Sequence, residues 1–330
     1  MNDNLVSQFG LTPEQTGLLF SLQYKIIEDQ VKQETNDEKK KKKQAWMYRW
    51  LHQTSLYLNE VLKSSCTVLT DIFSMSRLYV KINEENKSNT WKYLILLECS
   101  LYEPFYPLGN SDEDKAMAKG IKRDKECLKK TLAEIAKLLE IDSKYVDIFR
   151  KKYRSAIKRL SNYYSKLAWT ISGVAIVTAL AAIFFQPALV AVLAKGGLSG
   201  AAASSSVMAM LGGGAVASGG LGIVGGWAVL VGGGFLLGGG IGAGTFISIA
   251  SNAPDFVLSQ AARLEVVLKE IIMGMQNDIK TFQAILLKQQ EQIAKIKVEL
   301  IRLQQDQKKH KEEIKNLKKS IEYLEKLCKI

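Results

Sequence analysis

Apolar residues recur at helical spacing along most of the chain, and the pattern changes character at its centre. Thr12-Pro13-Glu14-Gln15 joins a capping Thr, a Pro at the first helical position and a Gln three residues on, which together signal a helix start. Leu19, Phe20, Tyr24 and Ile27 then repeat on one face. The run Lys39 to Lys43 is expected as a solvated joint. Beyond it Trp46, Trp50, Tyr57, Val61, Leu69, Phe73 and Tyr79 share a face, and a third apolar run spans Trp91 to Tyr102. Pro104, Pro107, Gly109 and Asn110 mark a turn, and Ser111 with Asp114 starts a further helix near Asp112. Leu128, Leu132, Ile135 and Leu139 form its stripe. After a break at Asp142-Ser143 another stripe runs through Val146, Phe149, Tyr153, Leu160 and Tyr164 to Leu167.

From Leu167 the periodicity gives way to continuous apolar sequence. Leu167 to Ala194 is 28 residues without a charge, about 42 Å as a helix, against a hydrocarbon core of about 30 Å. A transmembrane span is expected there, with Tyr163, Tyr164 and Trp169 at its interface and a kink near Pro187. Lys195-Gly196-Gly197 then gives a turn, and Leu198 to Ala250 supplies another 53 uncharged residues. Two crossings, with Leu221 to Ala250 returning, would put both charged arms on one side, and three would separate them. The even number is preferred because both flanks are rich in charge.

The C-terminal arm returns to strict periodicity, alternating three and four residues from Leu268 to Cys328. One set is Ile272, Ile279, Leu286, Ile293, Leu300, Gln307, Ile314, Ile321 and Cys328, and the other is Leu268, Met275, Phe282, Gln289, Ile296, Leu303, His310, Leu317 and Leu324. This is a heptad seam, and the expected structure is one long coiled-coil helix. Its core positions include Ile293, Ile296, Leu300, Leu303, Ile314, Leu317, Ile321 and Leu324. Its partner is either a second copy in parallel or the helices of residues 112–166 within the chain. Gln289, Gln307 and His310 break the seam and are expected to fix register.

Composition sharpens the division. Of 25 glycines 20 lie between Leu167 and Pro254, and Lys195 is the one charged residue in that stretch, so all but one unit of the net charge of +12 belongs to the two arms. Four segments result: an N-terminal helical bundle (1–110), amphipathic helices with a basic juxtamembrane cluster (111–166), a glycine-rich membrane-inserting region (167–254) and a C-terminal coiled coil (255–330). The cluster holds Arg150, Lys151, Lys152, Arg154, Lys158, Arg159 and Lys166 with no acidic residue between them. It is expected at an anionic interface and on the cytoplasmic side. Gly234, Gly238 and Gly242 recur every fourth residue, as do Gly222 with Gly226 and Gly240 with Gly244. Such spacing lets helix backbones approach closely in lipid.

Chemistry finds little support. His52 and His310 are the two histidines and neither has a partner at metal or catalytic spacing. The acidic trio Asp112, Glu113 and Asp114 suits a helix N-terminus better than a metal site. Gly220 to Gly225 matches the dinucleotide fingerprint, but the first acidic residue after it is Asp255, too far for the ribose. Cys66, Cys99, Cys127 and Cys328 form no CxxC pair, and the opening residues show no secretory signal. No enzyme, cofactor or metal is expected, and acidic residues mixed through both arms disfavour nucleic acid.

Long amphipathic helices around a glycine- and alanine-rich apolar hairpin make the layout similar to that of the α-helical pore-forming toxins. The resemblance covers Leu167 to Pro254 with its flanking helices and rests on no short motif. It implies a helical protein that shelters a hairpin and inserts it as an oligomer, acting on a bilayer from inside its own cell or after export. The expected fold is all-α, a helical bundle with a glycine-rich transmembrane hairpin and a long C-terminal coiled coil. The expected function is self-association through glycine-faced helices that permeabilises or gates a membrane. The polar residues to line such a path are few: Ser199, Ser204, Ser205, Ser206, Ser218, Thr245 and Ser248. The alternative is a constitutively anchored coiled-coil scaffold. Expected partners are an anionic bilayer and further copies of the chain. The expected location is a membrane with both arms cytoplasmic, a soluble form that later inserts being allowed for.

Overall fold

The computed structural model describes residues 10–61, 67–106, 112–161, 231–237 and 254–330, together with Leu108, Ile247, Ala250 and Ser251. Among them are ten α-helices and no β-strand. The helices are α1 (Pro13–Gln33), α2 (Asp37–Val61), α3 (Ile72–Glu85), α4 (Thr90–Ser100), α5 (Asp112–Ala118), α6 (Lys125–Leu138), α7 (Lys144–Ser161), α8 (Pro254–Val266), α9 (Ile279–Leu303) and α10 (Lys311–Leu327). The described residues divide into two units, one holding those from Leu11 to Arg150 and the other those from Lys151 onward, with the boundary inside α7.

In the first unit α1 is the central element, packed by α2, α3, α4 and α6. Its start is the one the sequence announces: Gln15 N–H donates to Thr12 Oγ1 at 3.3 Å, and Thr12 N–H donates to Gln15 Oε1 at 2.9 Å. A helix covered on several sides must satisfy its polar residues internally. Gln30 does so by pairing with both backbone groups of Asp124, donating to its carbonyl at 2.9 Å and accepting from its N–H. Asp124 in turn caps α6 by accepting from Cys127 N–H at 2.7 Å. The stripe Leu128, Leu132, Ile135 and Leu139 is buried, as are Val146 and Phe149 of α7. The single helix expected from Asp112 is divided into α5 and α6 at Gly120, whose φ of +84° ends α5.

The lysine run is corrected in one respect. Lys39 to Lys43 lie inside α2 and the joint falls earlier, at residues 34–36. Lys43 is buried: its ammonium lies 2.9 Å from the Glu34 carboxylate and 5.2 Å from the centre of the Phe105 ring. The Lys43 ammonium and the N–H of Asn36 hold the Glu34 carboxyl below its usual range. A depressed folded value stabilises above the unfolded one, near 4.3, and that contribution is lost as pH falls through the folded value. Acid titration of the helical signal should therefore show a shallower low-pH limb in Glu34→Gln than in the unaltered protein. Coincident curves would remove the pair from the acid response.

In the second unit α8 packs against the 231–237 segment and α10, and α9 packs against both of these. Residues 256–266 of α8 are all buried. The uninterrupted coiled-coil helix is not found. A π-helical turn, Val267–Met273, and a break at residues 274–278 separate α8 from α9, and Asp278 caps α9 by accepting from Thr281 N–H at 3.0 Å. A second break follows Leu303, where Gln304-Gln305-Asp306 forms a 3-10 turn and α10 folds back to pack on α9. The cause is local. Residues 304–313 contain no apolar side chain, so neither face of a straight helix has anything to bury there. Gln307 and His310, expected to set coiled-coil register, stand in the reversal itself. Most seam positions are buried all the same, Ile293, Ile296, Leu303, Ile314, Leu317, Ile321 and Leu324 among them, while Leu300 is half-buried.

The membrane expectation is corrected as well. Among the described residues no helix is long and apolar enough to cross a membrane, which weighs against the expected placement in one with both arms cytoplasmic. The return span Leu221 to Ala250 is not one continuous helix, because Val231–Leu237 is a 3-10 segment with Gly232 and Gly233 at φ of +61° and +81°. Left-handed residues cannot continue a right-handed helix. The first span, Leu167 to Ala194, lies outside the described residues.

Candidate functional site

The contacts flanking the uncharged stretch form the candidate site, and they begin at the end of α7. A helix C-terminus leaves carbonyls without helical partners and carries partial negative charge, so it attracts cations. Here two helices satisfy each other. Arg159 on α7 donates through Nη1 to the carbonyl of Lys326 at 2.8 Å, and Lys326 on α10 donates through Nζ to the carbonyl of Leu160 at 3.0 Å. The other two guanidinium nitrogens of Arg159 grip Glu265 of α8 in a fork, Nε to Oε1 at 3.1 Å and Nη2 to Oε2 at 2.6 Å. Lys269 approaches the same carboxylate at 2.9 Å, and Lys152 pairs with Glu270 at 2.7 Å. Glu265 keeps 8% of its side chain exposed and Arg159 36%, so the carboxylate depends on this pairing far more than the guanidinium does.

Deeper along the same helices Tyr153 donates its hydroxyl to Ser259 Oγ at 3.2 Å, and Arg263 lies over the Tyr153 ring at 5.8 Å while also donating to Ser259. All three are buried. Between Phe256 and Leu268 the sequence carries two charges, Arg263 and Glu265. The sequence reading missed both; a charge inside such an apolar helix needs a partner, and that is the signal that could have marked them.

The far side of the uncharged stretch is held by the C-terminal hairpin. Gln289 of α9, a seam-breaking residue, donates Nε2 to the carbonyl of Leu236. Ser320 of α10 donates to the Ala250 carbonyl at 2.8 Å and Asn316 to the Ser251 carbonyl at 3.0 Å. Gly233 packs so closely on α8 that a β-carbon there would lie 2.4 Å from the Gln260 carbonyl oxygen and 2.7 Å from the Leu264 nitrogen. Side chains of α9 and α10 thus bond to backbone on both sides of the uncharged stretch, at Leu160 before it and at Leu236, Ala250 and Ser251 towards its end. Beside this clasp, burial pushes the Tyr323 hydroxyl upward, with Asp255 and Glu322 adding to it. Burial and Glu325 do the same for the Cys328 thiol, so both groups stay protonated and neutral.

Of the residues expected at a membrane interface, Arg159 and Lys152 are brought into this clasp as partners of Glu265 and Glu270. Lys151, Arg154 and Lys158 are exposed on α7, and Arg150 is half-buried in the first unit. Tyr163, Tyr164, Lys166 and Trp169 lie outside the described residues, as do Gly222, Gly226, Gly238, Gly240, Gly242 and Gly244. Gly234 is buried within the 231–237 segment. Ser259, Asn316 and Ser320 were missed, because a lone hydroxyl or amide that bonds to distant backbone leaves no periodic trace. Comparison of the chain with protein-family models, with curated protein sequences and with solved structures finds no match in any of the three.

Proposed function

We propose that the protein permeabilises a lipid bilayer and that its C-terminal hairpin restrains this activity. The clasp carries the reading: α9 and α10 bond to backbone before and after a stretch whose composition suits lipid, so a single movement of the hairpin frees both sides. Once free, residues 167–194 have the length and lack of charge to enter a hydrocarbon core. The four-residue spacing of Gly234, Gly238 and Gly242 then supplies a face for self-association. The clasp is built to open. Each neutral hydrogen bond contributes only about 1 kcal/mol net, and the ion pair is partly screened by solvent at its Arg159 end.

Dye release from phosphatidylserine-containing vesicles tests the reading. The Gln289→Ala, Ser320→Ala double variant should release dye several-fold faster than the unaltered chain, because two of the three bonds on the far side are gone. Insertion of both proteins without any release would overturn the proposal and support a non-conducting anchor that scaffolds a partner.

A further inference from the structure

We propose that the outer face of α9 is the surface on which the protein docks to an anionic bilayer. This rests on the reading that the chain acts on a bilayer, and it concerns a face that the clasp does not use. Ile279, Leu287, Val298 and Ile301 are 51%, 52%, 69% and 64% exposed. At 3.6 residues per turn they fall within an arc of about 100°, opposite the buried Ile285, Gln289, Ile293 and Ile296. Between them on the same arc stand Gln283, Gln290 and Ala294, while Lys280 and Lys297 mark its two edges, Lys297 paired with Glu325 of α10 at 2.7 Å, so charge borders the stripe and its middle carries none.

Its flanks decide what covers it. From Ile279 to Leu303 there are five basic residues against Glu291 and Glu299, and the exposed Lys308 and Lys309 follow in the reversal. An apolar stripe with basic flanks on a helix about 37 Å long has the form of a helix lying in a headgroup layer, aliphatic side chains down and lysines beside the phosphates. A second copy of the chain would bring the same positive excess against itself. The first unit offers a contrast. Ile72, Phe73 and Val80 of α3 are exposed at 51%, 69% and 51%, yet Arg77 and Lys81 are balanced by Glu84 and Glu85. Apolar exposure is common to both faces, and the charge excess belongs to α9.

Co-sedimentation of the full chain with vesicles tests this. Binding should be stronger to phosphatidylserine-containing vesicles than to phosphatidylcholine alone. It should fall more than about tenfold in Leu287→Gln, Val298→Gln, where loss of exposed side chains spares the fold, and should be unchanged in Phe73→Gln. Equal binding by the α9 variant would overturn the proposal. So would a chain that ignores anionic vesicles and forms a dimer that the α9 variant abolishes. Dye release from the same vesicles separates the two readings: docking without release defeats the permeabilising function alone, and release indifferent to the α9 variant defeats the docking face alone.

Discussion

Gly233→Ala is expected to loosen α8 by about 3 kcal/mol, enough to speed hydrogen exchange at its buried amides more than about a hundredfold. Two costs combine. The backbone φ of +81° strains any L side chain, and the added methyl would meet the Gln260 carbonyl oxygen at 2.4 Å and the Leu264 nitrogen at 2.7 Å. Both are backbone atoms of a buried helix, so relief requires the helix or the 231–237 segment to move. Gly120 separates the two costs. Its φ is +84° but nothing lies within 4 Å of the added carbon, so Gly120→Ala should show the conformational cost alone, about 1 kcal/mol in exchange near α5. If Gly233→Ala leaves α8 exchange unchanged, the close approach is not what holds the segment. If it does loosen α8, vesicle release by the same variant should quicken, because the segment it displaces is one side of the clasp.

Arg159→Met should cost about 2–3 kcal/mol, read as faster exchange along α10 and as quicker dye release. The residue makes three bonds of two kinds: a fork onto Glu265 and a cap on the Lys326 carbonyl. Removing it leaves a carboxylate only 8% exposed with Lys269 as its remaining partner, the circumstance in which breaking an ion pair costs more than the pair contributed. The 36% exposure of Arg159 and the 41% exposure of Lys269 moderate that cost through solvent screening. Arg159→Lys keeps the charge and loses the fork, so it should fall between the two. A cycle with Glu265→Gln should give a coupling of about 1–2 kcal/mol that shrinks at high salt. No coupling, with α10 unaffected, would show that Arg159 takes no part in holding the hairpin.

The helical character of the chain was legible because apolar stripes and caps agree locally. Thr12 with Gln15, and the stripe from Leu128 to Leu139, read from sequence as the structure has them. The C-terminal arm shows where such reading stops. A heptad seam identifies which positions are buried but not whether one helix or two bury them. Ile293 and Ile321 kept their burial when Gln304 to His310 reversed the chain and turned an expected long helix into a hairpin. Lys43 was misread for a related reason. Its neighbours Lys39 to Lys42 are solvent-facing or half-buried, and nothing in the run marks the one lysine that meets Glu34. The clasp was hardest to see, since Arg159 reads as part of a basic cluster until Glu265, 106 residues away, is placed beside it.

The exchange of caps between α7 and α10 joins residues 166 and 167 positions apart in sequence, and this fixes an order of events during synthesis. At about 5–20 residues per second the ribosome completes Leu167 to Ala194 about 7–26 s before Lys326 exists to meet Leu160. Throughout that interval the most lipid-like part of the chain has no clasp to hold it. A chaperone that binds apolar chain is therefore expected to associate with the nascent protein before Lys326 is made and to leave it afterwards.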